Sequence, residues 1–263
     1  MSVNSYLSQV SSRLILSDSE KKSITASIHT LKNRLSLYFG PKLTNHIQFG
    51  SSTRGTILPP KVDSHFNIDY MIVFNTMEGK QEPRMYYDEL RRFADNNYSA
   101  SEIQQSSPTV VLSLNSINFK LVPAIKNSGL LKIPSSKSYW TGWISTTDPD
   151  TSKNEILDKN KLNHNNIKPL VRLVKYWNAI NNHPYISFSL EKHILDRYFL
   201  LCTSLKDYFY SFWDDISYNF SSAQDIIDLI DNAKKHIKRA REYEKDNMPA
   251  SAEKEIKKLV PEF

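Results

Sequence analysis

An α/β (α+β) fold in two lobes is predicted: a mixed or antiparallel sheet with flanking helices over residues 41–125, and a helical lobe over 161–263. Two observations predict it. Apolar spacing is helical up to Gly40-Pro41, changes to period two and short continuous runs between Ile47 and Val122, and turns helical again from Ile167 onward. The stretch between the lobes, 126–160, shows few regular periods and many Ser, Thr, Asn, Lys and Asp, so it is assigned as an irregular crossing.

Leu7, Val10, Leu14 and Leu16, then Ile24, Ile28, Leu31, Leu35 and Leu37, recur at helical spacing, and residues 1–40 are expected as helices packed on the helical lobe. Ile47 and Phe49 lead into a glycine-bearing turn, Gly50-Ser51-Ser52-Thr53-Arg54-Gly55-Thr56. Ile68 to Phe74 is a continuous apolar run of the kind found in buried central strands. Residues 81–97 return to helix, with Tyr86, Leu90 and Phe93 as the buried face, and Thr109–Leu114 and Ile117–Val122 form two strands joined by a tight turn at Asn115-Ser116. The crossing holds Tyr139, Trp140 and Trp143. Ile167, Leu170, Val171, Val174 and Trp177 make a helical stripe, residues 187–213 carry a long apolar helical pattern, and Ile226–Ile230 and a basic stretch, Lys234 to Lys258, follow.

The 263 residues are 40% hydrophobic and 24% charged, which excludes a disordered or collagen-like chain. A net charge of +6 favours a polyanionic partner such as nucleotide phosphates, RNA or DNA. The single cysteine, Cys202, can form neither an internal disulfide nor a zinc cluster and is expected to pack as a small hydrophobe. Neither a leader pattern nor a membrane-length apolar run is present, so a cytoplasmic location without membrane attachment is expected.

Three segments carry the chemistry: the Gly50–Thr56 turn after a strand, Asn67-Ile68-Asp69 at the head of the next strand, and Lys120-Leu121-Val122-Pro123 closing a later one. Glycine lets backbone approach a triphosphate closely, and two side chains at i and i+2 on one strand share a face from which a pair of acids can hold Mg2+. A third acid from a neighbouring strand completes such a two-metal site.

These segments resemble the polymerase-β-like nucleotidyltransferases, and within them the bacterial cGAS/DncV-like enzymes of anti-phage signalling, the CD-NTases with a SMODS-type domain. Phe49 to Thr56, Ile68 to Phe74 and Leu121-Val122-Pro123-Ala124 match the family pattern. So do Trp143-Ile144 with Thr147-Asp148-Pro149, the segment Leu170 to Asn178, and Ser187 to Glu191. The resemblance implies a nucleotidyltransferase that builds a cyclic or linear oligonucleotide messenger from NTPs, ATP among them, with Mg2+ or Mn2+. It implies that Asn67, Asp69 and Lys120 occupy the catalytic acid positions, with Asp69 and Asn67 as metal ligands. Gly50, Ser51, Arg54, Thr56, Lys175, Tyr185 and Ser187 then contact the nucleotide, Tyr185 by stacking on the base. A downstream effector or regulatory protein is the implied partner, and Lys234, Lys235, Lys238, Arg239 and Arg241 suggest a nucleic-acid surface, against which the mixed charge of that segment argues for a solvated helix.

The departures fall on the chemistry. The first acid position holds Asn67 and the third holds Lys120, leaving Asp69 alone. Asparagine offers only a neutral oxygen, and lysine places a cation where a metal should sit, so metal affinity and catalysis are expected to fall sharply. Three readings stay open: a member that keeps a nucleotide pocket without turnover and regulates a partner, a deliberately disarmed enzyme, or an enzyme that recruits another acid, for which Asp63 is the nearest candidate. Transfer of a nucleotide to tRNA or protein is a further alternative.

Overall fold

The computed structural model describes residues 1–77, 79, 81–98, 109–114, 117–135, 142–146, 148–217 and 223–263, and the backbone alone of 103–106. Asn115-Ser116, Tyr139, Trp140 and Thr147 lie outside the described residues. The chain divides into two compact units, one of residues 17–55 and 66–154, the other of residues 1–16, 56–65 and 155–263.

The first unit is built on a mixed sheet. Strands β1 (Leu43–Phe49), β2 (Ile68–Phe74), β3 (Ile103–Ser106), β4 (Thr109–Leu114) and β5 (Ile117–Asn127) lie in the order β1-β2-β5-β4-β3, and β6 (Leu130–Pro134) and β7 (Trp143–Ser145) extend it from β5. β2 and β5 run parallel at its centre, and the other described pairings are antiparallel. Strand alternation gives the sheet two different faces. On one, Ile68, Tyr70, Ile72, Phe119 and Leu121 are fully buried. The other carries a small apolar cluster of Met71, Val73, Ala124 and Leu131, with Ile47 and Phe49 packed against it.

Two helices complete this unit, α2 (Asp18–Phe39) and α4 (Pro83–Asn97). The expected face of α4 is the buried one, with Tyr86, Leu90 and Phe93 all inside. The expectation that residues 1–40 all pack on the helical lobe is corrected. A capping box at Ser17, with its side chain bonded to the Glu20 amide and Glu20 reaching back, starts a new helix where the chain changes unit. The Phe39 ring at the end of α2 then meets Phe74 at 5.3 Å and Phe93 at 5.5 Å, so the helix belongs with the sheet. β3 was not expected, because Gln104 and Gln105 give it the polar character of an edge strand.

The second unit is helical: α1 (Val3–Arg13), the greater part of α5 (Pro149–Leu162), α6 (Ile167–Ile180), α7 (Ser187–Asp196), α8 (Leu205–Asp215), α9 (Gln224–Lys245) and α10 (Pro249–Lys257). α6 is apolar over most of its surface and sits inside the core, where Trp177 meets Trp213 of α8 edge to face at 4.8 Å. The Tyr6 hydroxyl donates to the Val260 carbonyl at 2.6 Å, and the amino terminus pairs with Glu253 at 2.9 Å, so both ends of the chain are fastened to this unit. Cys202 is half-buried and packs against its core.

Two further expectations are corrected here. Residues 126–160 are not an irregular crossing: β5 continues to Asn127, Ser128 and Gly129 turn the chain with positive φ, β6 pairs back on β5, and α5 begins at Pro149. These elements are short or polar, with Ile156 as the one buried residue of α5, and leave little periodicity to read. The apolar pattern over 187–213 is two helices, because Arg197 leaves α7 with extended backbone and Ser204 opens α8 with a second capping box. No helix among the described residues is long and apolar enough to cross a membrane.

Candidate functional site

In the sheet unit, β1 runs into Gly50, a single helical turn α3 (Ser51–Arg54) and Gly55. The turn holds itself together: Ser52 Oγ donates to the Phe49 carbonyl at 3.2 Å, Thr53 Oγ1 to the Gly50 carbonyl at 3.0 Å, and Gln48 Nε2 to Ser52 Oγ at 3.0 Å. Gly55, at φ +73, closes it with its amide on the Ser51 carbonyl, and Arg54 is buried. Gly50 has φ 78 and ψ −156, a region that is essentially reserved for glycine. A Cβ added there would lie 2.2 Å from Asp69 Oδ2. The Asp69 carboxylate therefore rests directly against the turn, which is why position 50 must lack a side chain.

This contact makes a prediction. Gly50→Ala should lower stability by roughly 1–3 kcal/mol through backbone strain and should also drive the Asp69 carboxylate off the turn. Denaturant unfolding together with nucleotide titration reads both effects, and an alanine variant with unchanged midpoint would contradict the geometry.

Asp69 is the second residue of β2 and Asn67 stands two residues ahead of it, one residue before the strand. Parallel pairing sets Asp69 opposite Lys120 of β5, and antiparallel pairing sets it opposite Phe49 of β1. Residues paired in register project to the same face of a sheet, so Asp69 and Lys120 stand side by side, both half-buried, at the polar end of the Met71–Val73–Ala124 cluster. The Lys120 ammonium makes no ion pair or hydrogen bond among the described residues.

A pair of divalent cations is held in such sites by several anionic oxygens. Asn67, Asp69 and Lys120 offer one carboxylate, one amide and one ammonium, a set that does not fit. Among the described residues, no group of three or more His, Cys, Asp or Glu side chains could hold a metal ion. Asp63, the spare acid, lies in the helical unit. Its Oδ1 is 3.3 Å from His183 Nε2 and accepts the His65 amide at 2.9 Å, and the rings of His65 and His183 stack at 3.9 Å. Burial holds the His183 imidazole below its ordinary pKa, with Asp63 opposing that shift.

The other predicted residues fall in the helical unit. Lys175 of α6 is buried, with Nζ 2.7 Å from Glu191 Oε2 of α7 and 3.3 Å from the Thr56 carbonyl. The hydroxyl of Thr56, itself wholly buried, donates to the same Glu191 oxygen at 2.9 Å. Thr56, Lys175 and Glu191 thus meet in one polar knot inside the core of the helical unit. Glu191 had not been singled out as a site residue. The signal was available, since a lysine within the apolar run Leu173–Trp177 needs a buried counter-charge. Tyr185 is half-buried against the core, its backbone tied by two hydrogen bonds to the Asn178 side chain at 3.0 and 2.9 Å, and burial raises its phenol pKa. Ser187 is the first residue of α7.

On α9, Lys235, Lys238 and Arg239 are exposed and Lys234 half-buried, alongside exposed Asp231 and Glu242. Arg241 is committed to a two-pronged ion pair with Asp214 at 2.8 and 2.6 Å. These residues make a mixed-charge solvated face on a helix whose other side buries Ile230, Ala233, Ile237 and Ala240.

The Second Messenger Oligonucleotide or Dinucleotide Synthetase (SMODS) domain family matches residues 1–160. No curated protein shows significant sequence similarity. Among solved structures, Escherichia coli MS115-1 CdnC with ATP is similar at TM-score 0.71 and 15% identity, covering 98% of both chains. The Bradyrhizobium diazoefficiens CD-NTase CdnG with GTP gives TM-score 0.70 at 9% identity, covering 98% of this chain and 97% of the other. The Vibrio cholerae cyclic AMP-GMP synthase DncV gives 0.68 at 11% identity, covering 88% of each.

Proposed function

Because the chain belongs to the SMODS family of second messenger oligonucleotide or dinucleotide synthetases, the cGAS/DncV-like nucleotidyltransferases, we propose that it binds nucleoside triphosphates but makes phosphodiester bonds weakly or not at all. One observation carries this reading: Lys120 stands in register with Asp69, while Asn67 precedes it. The phosphate-facing features are kept. Gly50 gives close backbone approach, and Ser51 and Arg54 frame the turn. What has changed is the charge of the acid set, which falls from three carboxylates in the family pattern to a set that sums to zero.

For the helical unit we assign Tyr185 and Ser187 to the base and phosphates of the nucleotide, as in the family pattern. Thr56 and Lys175 serve in the first instance to hold α6, α7 and the 56–65 segment together, since their polar atoms are already engaged with Glu191 and with each other. The biological reading that follows is a nucleotide-responsive partner of the defence-signalling type rather than a source of messenger.

Calorimetric titration of ATP and GTP, followed by nucleotide analysis of the same samples, tests this. Saturable binding with intact nucleotide recovered is the expected result. Steady accumulation of cyclic or linear oligonucleotide by the unmodified chain would refute the loss of turnover, and absence of any nucleotide binding would refute the pocket.

A further inference from the structure

We propose that Lys120 and Asn67 have converted a cation-binding strand end into an anion-binding one, so that the chain grips the polyphosphate of a nucleoside triphosphate directly, without a divalent cation. The inference rests on the nucleotide-binding reading above and goes beyond it by naming what replaces the metal.

The argument is one of donors and acceptors. Three carboxylates present only acceptors and repel phosphate unless a metal lies between. In this chain the same positions hold an ammonium with three N–H donors, an amide with two N–H donors, and a single carboxylate. The ammonium is placed where it counts: β2 and β5 pair in parallel with Asp69 opposite Lys120, on the sheet face that Phe49 shares at the end of β1. Gly50 follows Phe49 directly and lies against the Asp69 carboxylate, so the turn, Asp69 and Lys120 form one contiguous surface within the sheet unit.

The structure also leaves that ammonium available. Lys120 is half-buried on the central strand yet has no carboxylate or carbonyl partner among the described residues, unlike Lys175, whose ammonium is engaged by Glu191 and Thr56. A half-buried cation with apolar Val111 of β4 in register beside it and Val122 two residues on along its own strand interacts with an incoming anion more strongly than a solvated surface lysine does. A compact ammonium on a flexible stem can follow a phosphate oxygen over a range of positions. The remaining Asp69 carboxylate then sets a limit, because it repels phosphate on its own side and leaves the Lys120 side as the favourable approach.

ATP titration by calorimetry, in EDTA and in excess Mg2+, on the unmodified chain and on Lys120→Gln and Lys120→Arg, tests the inference. ATP should bind the unmodified chain in EDTA at least as tightly as in Mg2+. Lys120→Gln should lose about ten- to a hundredfold in EDTA, the range of one charge-assisted hydrogen bond, while Lys120→Arg retains binding. Binding of the unmodified chain in Mg2+ alone would overturn the inference without reference to any variant. So would a folded Lys120→Gln protein, verified by its melting transition, that binds in EDTA like the unmodified chain. Either result leaves nucleotide binding itself standing. Absence of ATP binding in both buffers would instead remove the reading on which the inference rests.

Discussion

Replacing Glu191 by alanine should lower the folding free energy by about 3–5 kcal/mol, the usual penalty for stranding one member of a buried ion pair. The carboxylate and the Lys175 ammonium lie 2.7 Å apart, with side-chain exposures of 1% and 7%, so neither can turn to solvent when its partner is lost. Thr56 could not compensate. Its hydroxyl and carbonyl both contact Lys175, but they are neutral, and the hydroxyl would itself lose its acceptor on Glu191. The pair as a whole need not add net stability, because desolvating two charges offsets much of their attraction. A Lys175→Met, Glu191→Leu double variant should therefore recover most of the loss and fold near the unmodified level. Denaturant unfolding of the single and double variants separates these terms. A Glu191→Ala protein within about 1 kcal/mol of the parent would mean that Lys175 reaches water, contrary to its burial.

The helix period was strong where one face is buried, as in α4 with Tyr86, Leu90 and Phe93, and β2 was marked instead by the continuous apolar run of a strand buried on both faces. Such signals failed where side-chain pattern does not decide structure. α2 has apolar positions that suit either lobe, and only the rings of Phe39, Phe74 and Phe93 settle which core receives them. The break between α7 and α8 depends on backbone conformation at Arg197 and Leu201 within an otherwise apolar stretch. In the site, the spacing of Asn67 and Asp69 was legible because β geometry fixes which residues share a face. The resemblance places Lys120 at the third acid position, but spacing alone does not set it opposite Asp69, since that depends on the parallel register of strands about fifty residues apart in the chain. Nor could spacing reveal that Asp69 touches Gly50, a contact made across β1 and β2.

The second large effect concerns those same positions. Changing Asn67→Asp and Lys120→Glu together should raise phosphodiester formation from NTPs by about a thousandfold or more, given that charge stabilisation by bound metal is worth several kcal/mol and each 1.36 kcal/mol is tenfold in rate. The backbone is already suited to the change, because the registered strands would set the restored carboxylate at position 120 beside Asp69, with that at position 67 two residues before it. The two single variants should not contribute equally. Asn67→Asp alone leaves the Lys120 cation beside Asp69, where it repels any divalent ion, whereas Lys120→Glu alone removes that charge and leaves a neutral amide that can still offer an oxygen. Lys120→Glu should therefore show the larger gain, and the pair should exceed the sum of the two because all three groups act on one site. Product analysis with mixed NTPs in Mg2+, with an EDTA control, measures it. A double variant that folds and binds ATP but yields no product would place the loss of turnover elsewhere than at Asn67 and Lys120.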